Sequence, residues 1–307
     1  MNFKAYIIVL SIVFFLASCE TVVDIDVPQE PPSLVVNGYL NTDSSNISFH
    51  LSKTDFILSE SSFESILGAD VTLKENGVEV GSFRETGIGV YTSDVAPGKG
   101  NTYELTVAKE GFNTVSAIGS IPDQTIDIID VSVEEVDRNG YLENLVKVKI
   151  KDPGGVANFY EVGIFRYEPV YDFETGELNE EDSVINFVYL ELEGTEFEDS
   201  PEKFGNTVLV DDLFFNGLEY EFNLLVSSYY FTGDPFFDDD DEDERVFYVT
   251  VRNTSEDYYE YVRSVKIQYW NDGDPFAEPV IVEGNINNGF GIFAGFNSSV
   301  LEIDLEN

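Results

Sequence analysis

The chain has very few of the residues on which most metal sites and disulfide frameworks depend. Its 307 residues include one cysteine, Cys19, one histidine, His50, one methionine and one tryptophan. A single cysteine excludes an intramolecular disulfide, so core packing has to hold the fold together. Zinc sites use several cysteine or histidine ligands, and the chain does not have enough of them.

Basic residues are also scarce. Lysine and arginine number 16 against 59 aspartates and glutamates, which gives a formal net charge of −43. A field of that sign repels nucleic acid and anionic lipid surfaces and favours cationic partners. We therefore exclude nucleic-acid binding. Hydrophobic residues at 43% and aromatic residues at 14% indicate packed cores rather than disorder.

The only continuous apolar run near the N-terminus is short. It covers residues 5–16 behind Lys4, whereas a membrane-spanning helix needs about 20 residues. A basic start, and small residues before the cleavage site, are typical of a secretory signal peptide. The alternatives to a lipoprotein signal are an uncleaved membrane anchor and a plain signal peptide. Leu16, Ala17, Ser18 and Cys19 resemble a bacterial lipobox. In such a signal the cysteine is acylated and becomes the first residue of the mature protein.

These features predict a signal peptide over residues 1–18 and a lipidated tether over 19–32. Prolines in the tether favour an extended segment, although a leader strand packed on the first domain is the alternative. Glu20, Asp24 and Asp26 resemble the acidic signal that sends Bacteroidota lipoproteins to the cell surface, with the acids spaced rather than consecutive. We expect a lipid-anchored outer-membrane protein at the cell surface.

Short strands with period-two alternation dominate the rest of the chain. Phe49 and Leu51 alternate with polar residues, and Asn76-Gly77 marks a two-residue hairpin. Such strands, without amphipathic helices between them, are typical of antiparallel sandwiches. We predict a mainly β protein with two immunoglobulin-like or transthyretin-like β-sandwich domains in series, over residues 33–122 and 123–307.

The second predicted domain contains acidic insertions and one helix. Residues 170–183 and 231–244 are rich in acids and are predicted to be loops. Apolar residues recur at helical spacing near residues 255–269, which predicts a short helix over one side of the sandwich. Thr254 is the predicted N-cap.

Two resemblances to known families add to this interpretation. Residues 68–73, 89–91, 103–107 and 111–112 resemble a carboxypeptidase regulatory-like β-sandwich. Residues 275–295, together with Cys19 and the Asp24-Ile25-Asp26 leader, resemble a Bacteroidota lipoprotein family catalogued as domain of unknown function 4249. The second resemblance implies a surface or outer-membrane lipoprotein, often a companion of receptors energised by TonB, and it carries over no catalytic residues.

Seven consecutive acids form the strongest charge feature. They are Asp238, Asp239, Asp240, Asp241, Glu242, Asp243 and Glu244. Repulsion between like charges predicts a solvated loop. Calcium, which takes six to eight oxygens, is the one candidate cofactor, but the run lacks the spaced acids and glycine of an EF-hand. Docking to a basic patch is the third alternative.

The sequence offers little for catalysis. A Ser-His-Asp triad would need His50, whose alternation with Ser48 and Ser52 predicts an exposed strand histidine. Two carboxylates are enough for a glycosidase, but sequence spacing does not predict their distance in a sandwich. We therefore predict that the protein is not an enzyme and keep a carboxylate hydrolase as a third hypothesis.

Paired aromatics suggest a binding surface. Phe214-Phe215, Tyr229-Tyr230 and Phe236-Phe237 place neighbours on opposite strand faces, one in the core and one exposed. We favour an interface, at Phe236 and Phe237, over a glycan site.

The expected function is docking on an outer-membrane β-barrel, a TonB-dependent transporter, to assist ligand capture or uptake. The alternative is a stand-alone binding or adhesion module for glycan or protein ligands, with calcium as its candidate cofactor.

Overall fold

A computed structural model describes residues 31–55, 63–138, 140–171, 178–194, 201–232, 246–274 and 276–305. The chain divides between Pro31 and Pro32, and the fold below is that of the second unit, Pro32–Asn307. Strands dominate it, and the mainly β prediction is confirmed. The described residues contain two α-helices, α1 (Ser228–Thr232) and α2 (Glu256–Asn271), and a 3-10 turn at Pro201–Lys203.

The strands follow one another closely along the chain. They are β1 Leu34–Asn41, β2 Ser48–Lys53, β3 Asp70–Glu75, β4 Val78–Glu79, β5 Arg84–Gly87, β6 Val90–Thr92, β7 Thr102–Ala108, β8 Val115–Ser120, β9 Ile128–Arg138, β10 Tyr141–Lys151, β11 Phe159–Tyr171, β12 Leu178–Phe187, β13 Leu190–Glu193, β14 Phe204–Gly205, β15 Thr207–Asp211, β16 Glu219–Ser227, β17 Phe247–Thr254 and β18 Phe290–Ile303.

One long sheet joins the beginning and the end of the chain. Its order is β12-β11-β17-β18-β1-β2-β6-β5, with β15 also paired to β11. β1 and β18 run parallel, from Val35 opposite Phe290 to Asn41 opposite Phe296. The predicted domain boundary at residues 122 and 123 falls between β8 and β9, and this sheet combines strands from both sides of it.

Two smaller sheets complete two sandwiches that share the long sheet. The sheet β14-β13-β16-β10-β9 packs on the β11, β17 and β18 region, around buried residues such as Tyr160, Phe222 and Phe247. The sheet β4-β3-β7-β8 packs on β1, β2 and β6, around Tyr103 and Phe293 among others. Each fully buried side chain of this size contributes about 1.5–3 kcal/mol, so the two cores account for most of the stabilisation.

The predicted hairpin is confirmed. Asn76 and Gly77 connect β3 to β4 with φ values of +51° and +82°. Both central residues of such a turn need positive φ, which asparagine and glycine adopt at the least cost. The local sequence therefore determines this turn.

The predicted helix near residues 255–269 is confirmed as α2, but its predicted cap is wrong. Ser255 is the N-cap, and its Oγ accepts a hydrogen bond from the Tyr258 amide at 3.4 Å. Thr254 is the last residue of β17, and its hydroxyl donates to the Phe159 carbonyl oxygen at 3.2 Å. Strand pairing thus occupies Thr254 and moves the helix start by one residue.

The prediction of a loop over residues 170–183 is wrong in part. β11 continues to Tyr171 and β12 begins at Leu178, with Val170 opposite Asn179. Acidic side chains do not prevent pairing at a sheet edge where they can face water. In the other acidic insertion α1 runs to Thr232, and residues 233–245 lie outside the described residues.

Candidate functional site

A groove of about 720 Å³ lies over the long sheet where β1 and β18 pair. Val35 and Asn37 of β1 lie opposite Ser52 and His50 of β2, so these four half-buried or buried residues share one sheet face. All four line the groove. The amide of Asn37, the imidazole of His50 and the hydroxyl of Ser52 give the groove a polar floor.

The walls of the groove are mostly apolar. Lining residues of this kind are Val35, Phe63, Tyr261, Ile281, Val282, Ile286 and Phe290. Three of them have largely exposed side chains, Phe63 at 80%, Ile281 at 82% and Phe290 at 58%. Removing apolar side chains from water is favourable, so a bound molecule that covers these three would be stabilised by their burial. Apolar walls around a few polar groups are typical of ligand sites.

Helix α2 fixes one side of this groove. Tyr258 packs with Ile292, Ala294 and Phe296 on the same sheet, and Tyr261 joins this cluster at its edge. Tyr261 also lines the groove, one helical turn further along. The first half of the apolar face predicted for α2 therefore covers the sheet and ends at the groove. Its second half does not, because Val265 and Tyr269 are exposed.

The segment before β18 forms the other side. The Glu283 amide donates to Ser264 Oγ on α2 at 2.9 Å. Asn285 accepts from the Phe293 amide at 2.9 Å and donates to the Phe293 carbonyl oxygen at 2.8 Å. Side-chain bonds thus replace strand pairing here, and they hold the backbone of this wall in place.

Gly291 allows β18 to approach β1 below the groove. Its φ is +100°, and a Cβ at this position would lie 2.1 Å from the Val36 carbonyl oxygen. Any side chain would separate the two strands, so only glycine is compatible with this floor.

His50 is half-buried in the groove rather than exposed as predicted. Its Nε2 lies 3.0 Å from Ser65 Oγ, and Ser65 forms an isolated bridge with Ser52. Nucleophilic catalysis also needs a group that orients the histidine. Among the described residues, Ser65 is the one hydrogen-bond partner of the His50 imidazole. The imidazole of His50 lines the groove, where a bound molecule could contact it.

Buried carboxylates elsewhere are saturated with donors. Asp152 is 1% exposed and accepts hydrogen bonds from Asn158, Tyr160 and the Gly154 and Gly217 amides. Such a network connects loops and gives the carboxylate of Asp152 a structural role. No group of three or more His, Cys, Asp or Glu residues that could hold a metal ion occurs in the described ranges.

Two of the predicted aromatic pairs lie in the described residues. Phe215 is buried at 3% exposure, whereas Phe214 is 69% exposed. Tyr229 is 54% exposed, and Tyr230 packs against the core that contains Tyr160 and Phe222. One member of each pair therefore packs inward and the other is exposed, but the predicted reason is wrong. Neither pair lies in a strand, because Phe214-Phe215 occupies the turn between β15 and β16 and Tyr229-Tyr230 lies in α1.

The remaining predicted site residues lie outside the described residues and stay predictions. They are Leu16, Ala17, Ser18, Cys19, Glu20, Asp24, Asp26, Phe236, Phe237, Asp238, Asp239, Asp240, Asp241, Glu242, Asp243 and Glu244. Within the part of the chain that is described, no helix is both long and apolar enough to cross a membrane.

Sequence reasoning did not identify the groove. Its residues come from three distant parts of the chain, which are residues 35–63, Tyr261 of α2 and residues 281–291, and the pairing that brings them together is not encoded locally. The one usable signal was an apolar and glycine-rich stretch near the C-terminus that has no strand-like alternation.

Comparison with protein families gives a match over most of the chain. The model of the family described as "Domain of unknown function (DUF4249)" matches residues 20–302. No curated protein matches the chain. The matched range includes every residue that lines the groove. Because the match covers most of its length, the chain belongs to the DUF4249 family.

Proposed function

We propose that this protein is a non-enzymatic, lipid-anchored protein of the outer membrane. It docks on a β-barrel transporter of the TonB-dependent class and assists ligand capture or uptake. The single observation that carries this proposal is the groove, because an open site with apolar walls and a polar floor suits binding without chemistry.

The attachment to the membrane rests on the sequence. Cys19 follows a short apolar run and small residues, which is the order found in lipoprotein signals. Acylation of Cys19 would hold the folded unit Pro32–Asn307 near the bilayer through the proline-containing segment before it.

The net charge of −43 supports a protein partner rather than an anionic lipid surface. Charge complementarity steers encounter and orientation, whereas apolar contacts supply most of the affinity. Exposed aromatic side chains at Phe214 and Tyr229 provide apolar surface outside the groove.

Affinity purification of the tagged full-length protein from membranes, after extraction with a mild neutral detergent, tests the proposal. We expect one outer-membrane β-barrel to be recovered in near-stoichiometric amount, as identified by mass spectrometry. Cys19→Ala is the matched control, because it removes the anchor and leaves the folded unit unchanged. Recovery of no barrel with the unmodified protein would contradict the proposal.

The same groove supports a second candidate, a stand-alone surface module that binds glycan or protein ligands. Such a module should bind its ligand in purified form with no barrel present. Loss of binding on chelation would indicate calcium, with the acids at 238–244 as its candidate ligands.

A further inference from the structure

The charges around the groove are of one sign. Of the described residues that line it, two are carboxylates, Asp55 and Glu283, and none is a lysine or arginine. Lys53 is adjacent in sequence, but it faces the other side of β2 and forms an ion pair with Glu64 at 2.6 Å. Among the described lining residues, a bound anion would therefore meet no lysine or arginine, whereas a bound cation would meet the carboxylate of Glu283.

Aromatic rings form a large part of the groove wall. Phe63, Tyr261 and Phe290 line it, and the rings of Phe63 and Phe290 are largely exposed. The face of an aromatic ring attracts cations through its quadrupole, and it also contacts apolar groups favourably. Aromatic surface beside carboxylates is the combination that recognises organic ammonium groups.

The polar floor limits what the rest of the ligand can be. Asn37, His50 and Ser52 offer hydrogen bonds to polar substituents, while Ile281 and Ile286 require an apolar body. A volume of about 720 Å³ is in the range of sites for small organic molecules. The field of a chain with net charge −43 also raises the local concentration of cations.

We propose that the groove binds a small organic ammonium compound, with its cationic nitrogen between Glu283 and the ring of Phe290 and its apolar body against Ile281 and Ile286. The inference deepens the proposed function by assigning a chemical class to the ligand that the protein captures. It rests on the groove as the binding site, and it does not depend on which barrel is the partner.

Binding of three matched probes to the full-length protein in neutral detergent tests this assignment. Phenethyltrimethylammonium carries the cation, 2-phenylethanol is neutral and 3-phenylpropionate is anionic. By calorimetry or ligand-observed NMR, we expect the ammonium probe to bind at least about tenfold more tightly than the alcohol. We expect no measurable binding of the carboxylate, and weaker binding of the cation at higher salt.

Variants locate the site. We expect Glu283→Gln and Phe290→Ala each to weaken binding of the ammonium probe by about three- to thirtyfold. Glu79→Gln and Val78→Ala on β4 are the controls, because both side chains are exposed and neither lines the groove. Phe63→Ala is the second aromatic variant, since a side chain that is 80% exposed contributes little to folding.

Two results would overturn the inference. Equal affinity for the cation and the alcohol would show that charge plays no part, and unchanged binding in Glu283→Gln and Phe290→Ala would place the site elsewhere. Failure of the proposed function is a separate result. In that case the purified protein would bind the ammonium probe while no barrel is recovered from membranes.

Discussion

The carboxylate of Glu161 on β11 accepts a hydrogen bond from the guanidinium of Arg252 on β17 at 2.7 Å. Glu161 is 5% exposed and also accepts from Tyr258 Oη on α2 at 2.8 Å and from Thr207 Oγ1 at 2.7 Å. This one carboxylate therefore connects two strands of the long sheet, the neighbouring β15 and the helix that forms a side of the groove.

Glu161→Gln should be strongly destabilising. The substitution leaves the guanidinium of Arg252 without its charged partner in a poorly hydrated site, which costs about 3–5 kcal/mol of unfolding free energy. Urea denaturation measures this loss. Glu104→Gln is the control, because Glu104 pairs with Lys74 at 3.4 Å on the exposed surface. We expect that control to cost less than about 1 kcal/mol, and equal losses for the two variants would contradict the argument.

Gly291→Ala should disrupt the parallel pairing of β1 and β18. Its positive φ alone costs about 1–3 kcal/mol in a non-glycine residue. The new Cβ would in addition lie 2.1 Å from the Val36 carbonyl oxygen, so we expect a total above about 4 kcal/mol. Gly111→Ala is the matched control, with φ +89° and no atom within 4 Å of the new Cβ. The two glycines should therefore differ in thermal unfolding, and similar midpoints would rule out the close approach.

Stability should fall at alkaline pH. Burial raises the pKa of Tyr160, Tyr258 and Tyr259 above the usual value of about 10. As the pH rises beyond about 10, the unfolded chain releases these protons before the native protein does, so the stabilisation present below pH 10 is lost progressively. Phenolate absorbance and unfolding midpoints, followed together against pH, measure the effect.

Single tyrosine variants separate the buried tyrosines from the exposed ones. Tyr259→Phe should reduce the alkaline loss of stability, because it removes one buried phenol that is 7% exposed. Tyr141→Phe is the matched control, since Tyr141 is 75% exposed. Identical profiles for both variants would show that buried phenols do not control the transition.

The fragment of residues 33–122 should not fold by itself. It contains β1 to β8 but lacks β18, which pairs with β1, and it lacks the buried side chains of Ile286 and Phe293. We expect little chemical-shift dispersion in the NMR spectrum of the fragment, and recovery of dispersion when residues 284–305 are fused to it. A fragment that folds without them would support the boundary predicted from the sequence at residues 122 and 123.

Local patterns were sufficient to predict most strands, the Asn76-Gly77 turn and helix α2. Each depends on side-chain alternation or turn chemistry within a few residues. The pairing of β1 with β18 depends on a contact between distant parts of the chain, and no local pattern records it. The choice of Ser255 over Thr254 as the cap is similar, because it follows from the pairing of β17.

The groove could not be predicted for the same reason. Phe290 lies opposite Val35 only because β18 pairs with β1 in the long sheet. Phe63 reaches the groove from the segment between β2 and β3. In sequence these residues look like ordinary core side chains. The charge of the chain, by contrast, was evident from composition, and it is the part of the proposed ligand chemistry that could be inferred early.

The attachment of the chain to a membrane through Cys19 is the claim on which location and partner both depend. Mass spectrometry of the N-terminal peptide of the protein isolated from membranes tests it most directly. The account predicts a mature chain that begins at Cys19 and carries acyl groups on its sulfur and amino nitrogen. An unmodified Cys19 behind an intact leader that begins at Met1 would contradict it.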